Sequence, residues 1–189
     1  MIIACAEQII LEEGLDGLSM NKVAARAGLA KGTLYLYFAN KEDIVGHLAL
    51  LSRHKLLTYF HETISAYTEP RDQVRAIFWA SYAFSKKSPI HYSLVSFYES
   101  RPEAHESKEL ELASLNISGY IKSVLDRAQS QGVIGKHVDT SHLVFSFWGI
   151  SIGMIQLVEK KDKYIQESLN IDSESYYHTF NDNFVDSLR

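Results

Sequence analysis

The sequence is poor in the residues that most often crosslink or interrupt a chain. Its 189 residues include one cysteine, Cys5, so an intramolecular disulfide is excluded and a reducing compartment suits the chain. Only three prolines occur, and Pro70, Pro89 and Pro102 all fall between long segments of helical periodicity. No segment shows the polar and apolar alternation of a strand, and no repeats or low-complexity tracts are present. The sequence therefore predicts an all-α protein.

The sequence also lacks an apolar run long enough to cross a membrane. The longest run, Leu143 to Val158, has sixteen residues, whereas a membrane-spanning helix needs about 20. At the N-terminus no basic residue precedes the apolar start, and Glu7 and Glu12 interrupt any signal-like segment. We predict a cytoplasmic protein with no membrane partner, in which the apolar run is a buried or dimer-interface helix.

Acidic residues are missing from one stretch, although the whole chain has a formal net charge of −4. The stretch Ser19 to Lys41 contains four cations and neither Asp nor Glu. Ser19 suits a helix N-cap, and Gly28 suits the left-handed residue that follows a helix. A second short helix is predicted from Ala30 to Phe38, with Leu34 on its inner face. Two short helices around a tight turn predict a helix-turn-helix.

Helical periodicity and capping residues predict nine helices in all. The first is expected from Ile2 to Glu13, and Asn40 caps a fourth that runs to about Tyr67. Asp139 is the predicted N-cap of an eighth helix that ends near Lys161. The ninth is expected over about residues 173–188.

The amino-acid sequence of the basic stretch resembles that of a known protein family. Residues 27–38 read Ala-Gly-Leu-Ala-Lys-Gly-Thr-Leu-Tyr-Leu-Tyr-Phe, and Asn-Lys-Glu follows at residues 40–42. This run closely resembles the DNA-binding domain of the tetracycline-repressor (TetR) family. Beyond Leu50 only the helical layout is similar. The resemblance implies a helix-turn-helix domain over residues 1–45 and a helical ligand-binding and dimerisation domain over residues 46–189.

The resemblance and the position of each side chain predict which residues contact a DNA duplex. The N-terminal part of a recognition helix enters the major groove, so base contacts are expected from Lys31, Gly32, Thr33 and Tyr35. Phosphate contacts are expected from Ser19, Met20, Asn21, Tyr37 and Lys41. The alternative for each is a solvated helix surface. For Lys22 and Arg26 the two interpretations are evenly matched.

Aromatic residues are abundant in the C-terminal part, and some are expected to line a cavity for a small, mainly apolar effector. The candidate walls, on the fourth to eighth helices, are Phe78, Tyr82, Tyr98, Tyr120 and Trp148. Glu99 and Asn116 are the candidate polar anchors. The alternatives are plain core packing for the rings and exposed helix positions for the two anchors.

The predicted eighth helix is apolar on more than one side. Leu143 and Phe147 suit its own core, while Trp148 and Ile155 belong to a second stripe that needs cover. The resemblance implies that the last two helices of two subunits form a four-helix bundle. The predicted interface residues are Phe145, Gly149, Ile152, Gly153, Tyr176, Phe180 and Phe184. A two-fold axis there would present two recognition helices to a palindromic operator.

Two patterns imitate catalytic or metal sites. Gly149-Ile-Ser-Ile-Gly153 matches the G-x-S-x-G nucleophile motif, but it falls inside a predicted helix rather than after a strand. His47, His54 and His61 share a helix face, yet successive members lie about 10 Å apart, too far for one metal ion. We therefore predict no enzyme, no metal and no cofactor. The predicted function is a ligand-responsive transcriptional repressor, and the alternative is a helical small-molecule-binding protein or enzyme without DNA binding.

Overall fold

The computed structural model describes residues 1–99 and 107–189, without the side chains of residues 98 and 99. Within these ranges the secondary structure is helical throughout, and no strand is present. The helices are α1 (Ile2–Glu13), α2 (Met20–Arg26), α3 (Lys31–Tyr35), α4 (Lys41–Ser65), α5 (Pro70–Lys87), α6 (Pro89–Glu99), α7 (Lys108–Ser130), α8 (Thr140–Leu169) and α9 (Ser173–Asp186), with a single 3₁₀ turn at Leu15–Gly17. The predicted all-α fold is confirmed.

The chain forms two compact units. Unit 1 comprises Met1–Lys55 and Ser88–Ser114, and unit 2 comprises Leu56–Lys87 and Leu115–Arg189. Unit 1 therefore contains α1 to α3 and α6, whereas unit 2 contains α5, α8 and α9. The predicted functional division at residue 45 stays a prediction.

The turn between α2 and α3 has the caps that its sequence predicts. The Ser19 hydroxyl accepts a hydrogen bond from the Lys22 backbone N–H at 3.4 Å and so caps α2. Gly28 has φ +65°, a left-handed conformation that glycine adopts without strain. The next residue, Leu29, donates its N–H to the carbonyl of Ala24 in α2. The chain therefore leaves α2 sharply and enters α3 after four residues.

α3 is shorter than predicted, and contacts to the core and to the start of α4 fix its position. It covers Lys31–Tyr35 rather than Ala30 to Phe38, because the chain tightens into turns after Tyr35. Leu34 is fully buried and Phe38 nearly so in the core of unit 1. Asn40 caps α4 as predicted, accepting from the Asp43 N–H at 2.9 Å, and the Asp43 carboxylate accepts from the Ala39 N–H at 3.1 Å. These contacts fix the direction in which α3 faces.

A buried polar cluster joins α1, α4 and α6 inside unit 1. His91 is 7% exposed, and its Nδ1 lies 2.9 Å from the hydroxyl of the fully buried Ser52. Because that hydroxyl donates to the Leu48 carbonyl, Nδ1 is the donor to Ser52. The other ring nitrogen, Nε2, lies 3.1 Å from Glu7 Oε1 and 2.5 Å from Lys55 Nζ. The imidazole is thus shared between a carboxylate and an ammonium group.

Unit 2 is built around aromatic rings from α5, α8 and α9. Phe78 and Phe147 stack with centroids 4.3 Å apart, and Phe184 meets both edge-on at 5.3 and 5.5 Å. The Tyr177 hydroxyl donates to the Phe78 carbonyl at 3.2 Å, and its ring stacks on Tyr82 at 4.6 Å. Phe78 and Tyr177 are fully buried. The rings therefore form the core of this unit.

α8 runs further than predicted. Asp139 caps it as expected, accepting from the Ser141 and His142 N–H groups, but the helix continues past Lys161 to Leu169. Lys161 departs from helical geometry at φ −123° and ψ 17°, which marks a kink where the apolar periodicity ends. By length and composition alone, this is the one helix among the described residues able to cross a membrane, and 33% of its most apolar window is buried.

Candidate nucleic-acid interface

α3 presents a polar and aromatic face outward. Lys31 and Gly32 are exposed and Thr33 is half-buried, while Tyr35 is 46% and Tyr37 66% exposed. The Lys31 ammonium lies 6.0 Å from the centre of the Tyr35 ring. The residues predicted to contact bases therefore lie together on the accessible side of a helix whose other side is anchored in the core.

The predicted phosphate-contacting residues differ in accessibility. Asn21 is exposed, and Lys41 and Ser19 are half-buried. The Met20 side chain is only 8% exposed and packs in the core of unit 1, because it begins the inner face of α2. The backbone of Met20 is therefore the part available for the predicted phosphate contact, which stays a prediction. Ser19 has a structural task as the N-cap of α2.

Two of the four cations in the basic stretch are paired with carboxylates from α1. Lys22 forms an ion pair with Glu13, and Arg26 Nη2 lies 2.5 Å from Glu12 Oε2. The hydrogen bond from Arg26, followed by that from Gln8, lowers the pKa of the Glu12 carboxyl. The stretch itself contains no acid, and each neutralising carboxylate lies at least nine positions before its cation in the chain. The fold therefore removes part of the local positive charge.

Leu36 is a surface residue that the sequence pattern did not single out. It follows α3 directly and is 84% exposed, more than either neighbouring tyrosine. Its position in the sequence could have predicted this exposure. Leu36 lies three residues after Thr33 and four after Gly32, so it shares a helix face with two predicted base-contacting residues.

The candidate effector-binding residues do not form one described site. Phe78 belongs to the packed ring cluster and therefore fits the alternative of plain core packing. Asn116 is exposed. The Tyr120 ring lies tilted against the His61 ring with centroids 3.7 Å apart, and Trp148 is 48% exposed. The side chains of Tyr98 and Glu99 lie outside the described residues. The apolar cavity bounded by the fourth to eighth helices stays a prediction.

A different cleft opens in unit 2 between α5, α8 and α9. Its volume is about 450 Å³, and it is lined by Tyr82, Lys86, Val158, Glu159, Asp162, Asp172, Ser173 and Glu174. Four carboxylates line this cleft, so it is not the predicted apolar cavity. Burial, followed by the negative charges of Glu174 and Asp172, raises the pKa of the Tyr82 hydroxyl.

The predicted dimer residues lie on accessible or half-buried parts of α8 and α9. Phe145 is 67% exposed, and both Gly149 and Gly153 are exposed with open space where a Cβ would stand. Half-buried positions are taken by Ile152, Tyr176, Phe180 and Phe184. The expectation that Ile155 needs cover is wrong, since it is fully buried within the chain. The dimer itself stays a prediction.

The two imitations of catalytic or metal sites have structural explanations. Ser151 is buried in the middle of α8, as predicted, while Asp172 caps α9 and accepts from the Ser175 N–H. His47 lies 2.9 Å from the Asp43 carbonyl and packs edge-on against Phe38. No cluster of three or more metal-ligating side chains occurs among the residues that the structure describes.

The N-terminal part of the chain is similar in sequence to known proteins. Residues 2–48 match the family model described as bacterial regulatory proteins, tetR family. An uncharacterized HTH-type transcriptional regulator of Haemophilus influenzae is 32% identical over 105 residues, which are 53% of this chain and 54% of that protein. The match thus spans about half the length of this curated relative.

Solved structures extend the similarity of fold to the whole chain. A protein of unknown function from Rhodococcus sp. RHA1 has a TM-score of 0.83 at 19% identity, covering 99% of this chain and 93% of its own. The transcriptional regulator FadR from Bacillus subtilis, solved in complex with stearoyl-CoA, has a TM-score of 0.69 at 19% identity, covering 100% and 98%.

Proposed function

We propose that this chain, which belongs to the TetR family through its N-terminal domain, is a ligand-responsive DNA-binding transcriptional regulator. The observation that carries the proposal is the outward face of α3, where Lys31, Thr33 and Tyr35 are accessible while Leu34 is fully buried. A helix held rigidly from behind can enter a major groove without losing its orientation. We propose that it acts as a repressor and as a homodimer on a palindromic operator.

The proposal divides the DNA contacts by their chemistry. Lys31 can donate to guanine, and the Thr33 methyl and hydroxyl suit thymine or a neighbouring polar group. Tyr37 and Lys41 lie four and eight residues after Thr33 in the chain and are assigned to phosphates. Base contacts set sequence preference, whereas phosphate contacts set affinity for any duplex and its salt dependence.

The test compares one variant of each kind on operator and unrelated DNA. Lys41→Ala should weaken binding to all duplexes alike and reduce the salt slope by about 1. Thr33→Ala should relax sequence preference with little change on unrelated DNA. Footprinting of a palindrome at wild-type affinity by both variants would overturn the assignment. Failure of the wild type to shift any promoter DNA would instead favour a helical binding protein or enzyme.

For the effector we propose a molecule with a long apolar chain, of the acyl-CoA type. Its support is the solved regulator with the same fold that holds stearoyl-CoA. Stearoyl-CoA should raise the melting temperature and lower DNA affinity, whereas free coenzyme A should do neither. Equal effects of the two compounds, or none from either, would contradict this effector class.

α4 provides the proposed mechanical link, because it begins in unit 1 and ends in unit 2. Half-sites in a palindrome lie about 34–36 Å apart, or a multiple of that spacing. An effector that shifts α4 by a few ångströms would change the separation of two recognition helices and lose the register with DNA.

A further inference from the structure

Leu36 is the most exposed of the large hydrophobic side chains in the described part of the chain, at 84%. Single exposed leucines are common on protein surfaces, so exposure alone assigns no role. Leu36 differs because it stands between Tyr35 and Tyr37, which are also exposed, on the element proposed to contact DNA.

The backbone fixes where Leu36 points. Its N–H donates to the Thr33 carbonyl at 3.2 Å, so Leu36 lies one helical turn beyond Thr33. Leu34 is fully buried and Phe38 is 9% exposed, and together they hold the opposite side of this segment in the core. Burying Leu36 within the chain would require turning these two residues into solvent. Its exposure is therefore set by the packing behind it.

The face shared by Gly32, Thr33 and Leu36 has an unusual composition for a DNA-contacting surface. Gly32 contributes no side chain, and a Cβ added there would meet nothing within 4 Å. Thr33 contributes a methyl and a hydroxyl group, and Leu36 contributes only hydrocarbon. This strip has no charged side chain, so it makes no charge-to-charge contribution to phosphate affinity. Thymine is the base that presents a methyl group in the major groove, and apolar side chains recognise it by contact.

We infer that Leu36 packs against the C5 methyl group of a thymine in the operator half-site and is a specificity-determining residue additional to Lys31 and Thr33. The inference rests on the proposed DNA-binding function. It predicts an operator with a thymine whose methyl group contributes to affinity through Leu36 and not through any hydrogen bond.

The experiment uses deoxyuridine, which differs from thymidine only in lacking the methyl group. The operator is first selected from random duplexes with the full-length protein, and each thymine is then replaced singly by deoxyuridine. At the Leu36 position, loss of one buried methyl group should weaken wild-type binding about fourfold. Leu36→Ala should weaken binding to the thymine operator and abolish the deoxyuridine penalty at that position. Leu36→Met should retain the penalty, because its side chain still reaches the methyl group.

Two control variants separate this contact from other effects. Leu11→Ala removes another exposed leucine, on α1, and should leave every deoxyuridine penalty unchanged. Thr33→Ser removes only a methyl group and should affect a different thymine from Leu36→Ala. Circular dichroism checks that each variant is folded.

The outcomes distinguish this inference from the function on which it rests. Selection of no operator by the wild type would overturn both. Selection of an operator whose deoxyuridine penalties are the same in wild type and Leu36→Ala would overturn the Leu36 contact alone. A penalty that changes only in Thr33→Ser would likewise overturn the Leu36 contact.

Discussion

The tyrosines beside α3 in unit 1 and the ring cluster of unit 2 use aromatic side chains in opposite ways. In unit 1, Tyr35 and Tyr37 on and after α3 are 46% and 66% exposed. In unit 2, Phe78, Phe147 and Tyr177 are at most 1% exposed and pack on one another. An outward ring in unit 1 is available to a partner, whereas an inward ring in unit 2 stabilises the fold. Aromatic content therefore does not by itself locate a binding site.

The largest expected effect comes from truncating one ring of each kind. Phe147→Ala should lower the free energy of unfolding by about 3–5 kcal/mol, because it removes a fully packed ring and leaves a cavity. Tyr37→Ala should change it by no more than about 0.5 kcal/mol but weaken DNA binding. Urea denaturation and a mobility-shift assay measure the two quantities. Comparable loss of stability in both variants would remove the contrast between the units.

The sequence predicted those features of each unit that depend on near neighbours in the chain. In unit 1 the caps Ser19 and Asn40, and the inward Leu34, were predictable because helix ends and periodicity depend on near neighbours. The pairing of Arg26 with Glu12 was not, because it depends on how α1 packs on α2.

In unit 2 the helices were predictable but the use of their rings was not. Phe78 and Trp148 are both aromatic residues on amphipathic helices, yet one is fully buried and the other is 48% exposed. The difference depends on partners more than sixty residues away, including Phe147 and Phe184. Local periodicity does not contain that information.

The next effect in size concerns the proposed dimer. Gly153→Leu should leave the subunit folded, since a Cβ there meets no atom within 4 Å and a helix gains slightly from losing glycine. In the proposed bundle the new side chain would overpack the interface and cost about 1–3 kcal/mol per subunit. Sedimentation should show weaker dimerisation with unchanged helicity, and operator binding should fall. Wild-type protein that sediments as a monomer at micromolar concentration would refute the dimer.

A smaller effect is expected from the buried polar cluster of unit 1, whose histidine should make the free energy of unfolding depend on pH. Burial, followed by the positive charge of Lys55, lowers the pKa of His91, and Glu7 only partly opposes this. Above about pH 6.5, the ordinary pKa of histidine, the His91 imidazole is neutral in both the folded and the unfolded protein. Below that pH the unfolded chain takes up a proton more readily, so stability should fall as the solution is acidified.

Denaturation at pH 7.5 and pH 5.5 measures this dependence. His91→Gln should reduce the stability difference between the two pH values. An unchanged difference in His91→Gln would show that other groups carry the pH dependence.

The smallest expected effect concerns the charge balance beside α3, where unit 1 keeps two cations paired. The double variant Glu12→Gln, Glu13→Gln releases Arg26 and Lys22 from their carboxylate partners. If both cations then contact phosphate, the slope of log affinity against log salt should steepen by up to about 1.8. Glu62→Gln, Glu174→Gln removes the same charge from exposed positions in unit 2 and controls for net charge. Equal slopes in the two double variants would place Lys22 and Arg26 on a solvated face. A steeper slope only in the first would show that α1 moderates DNA affinity by holding these cations, which favours reading of bases over non-specific attraction to the backbone.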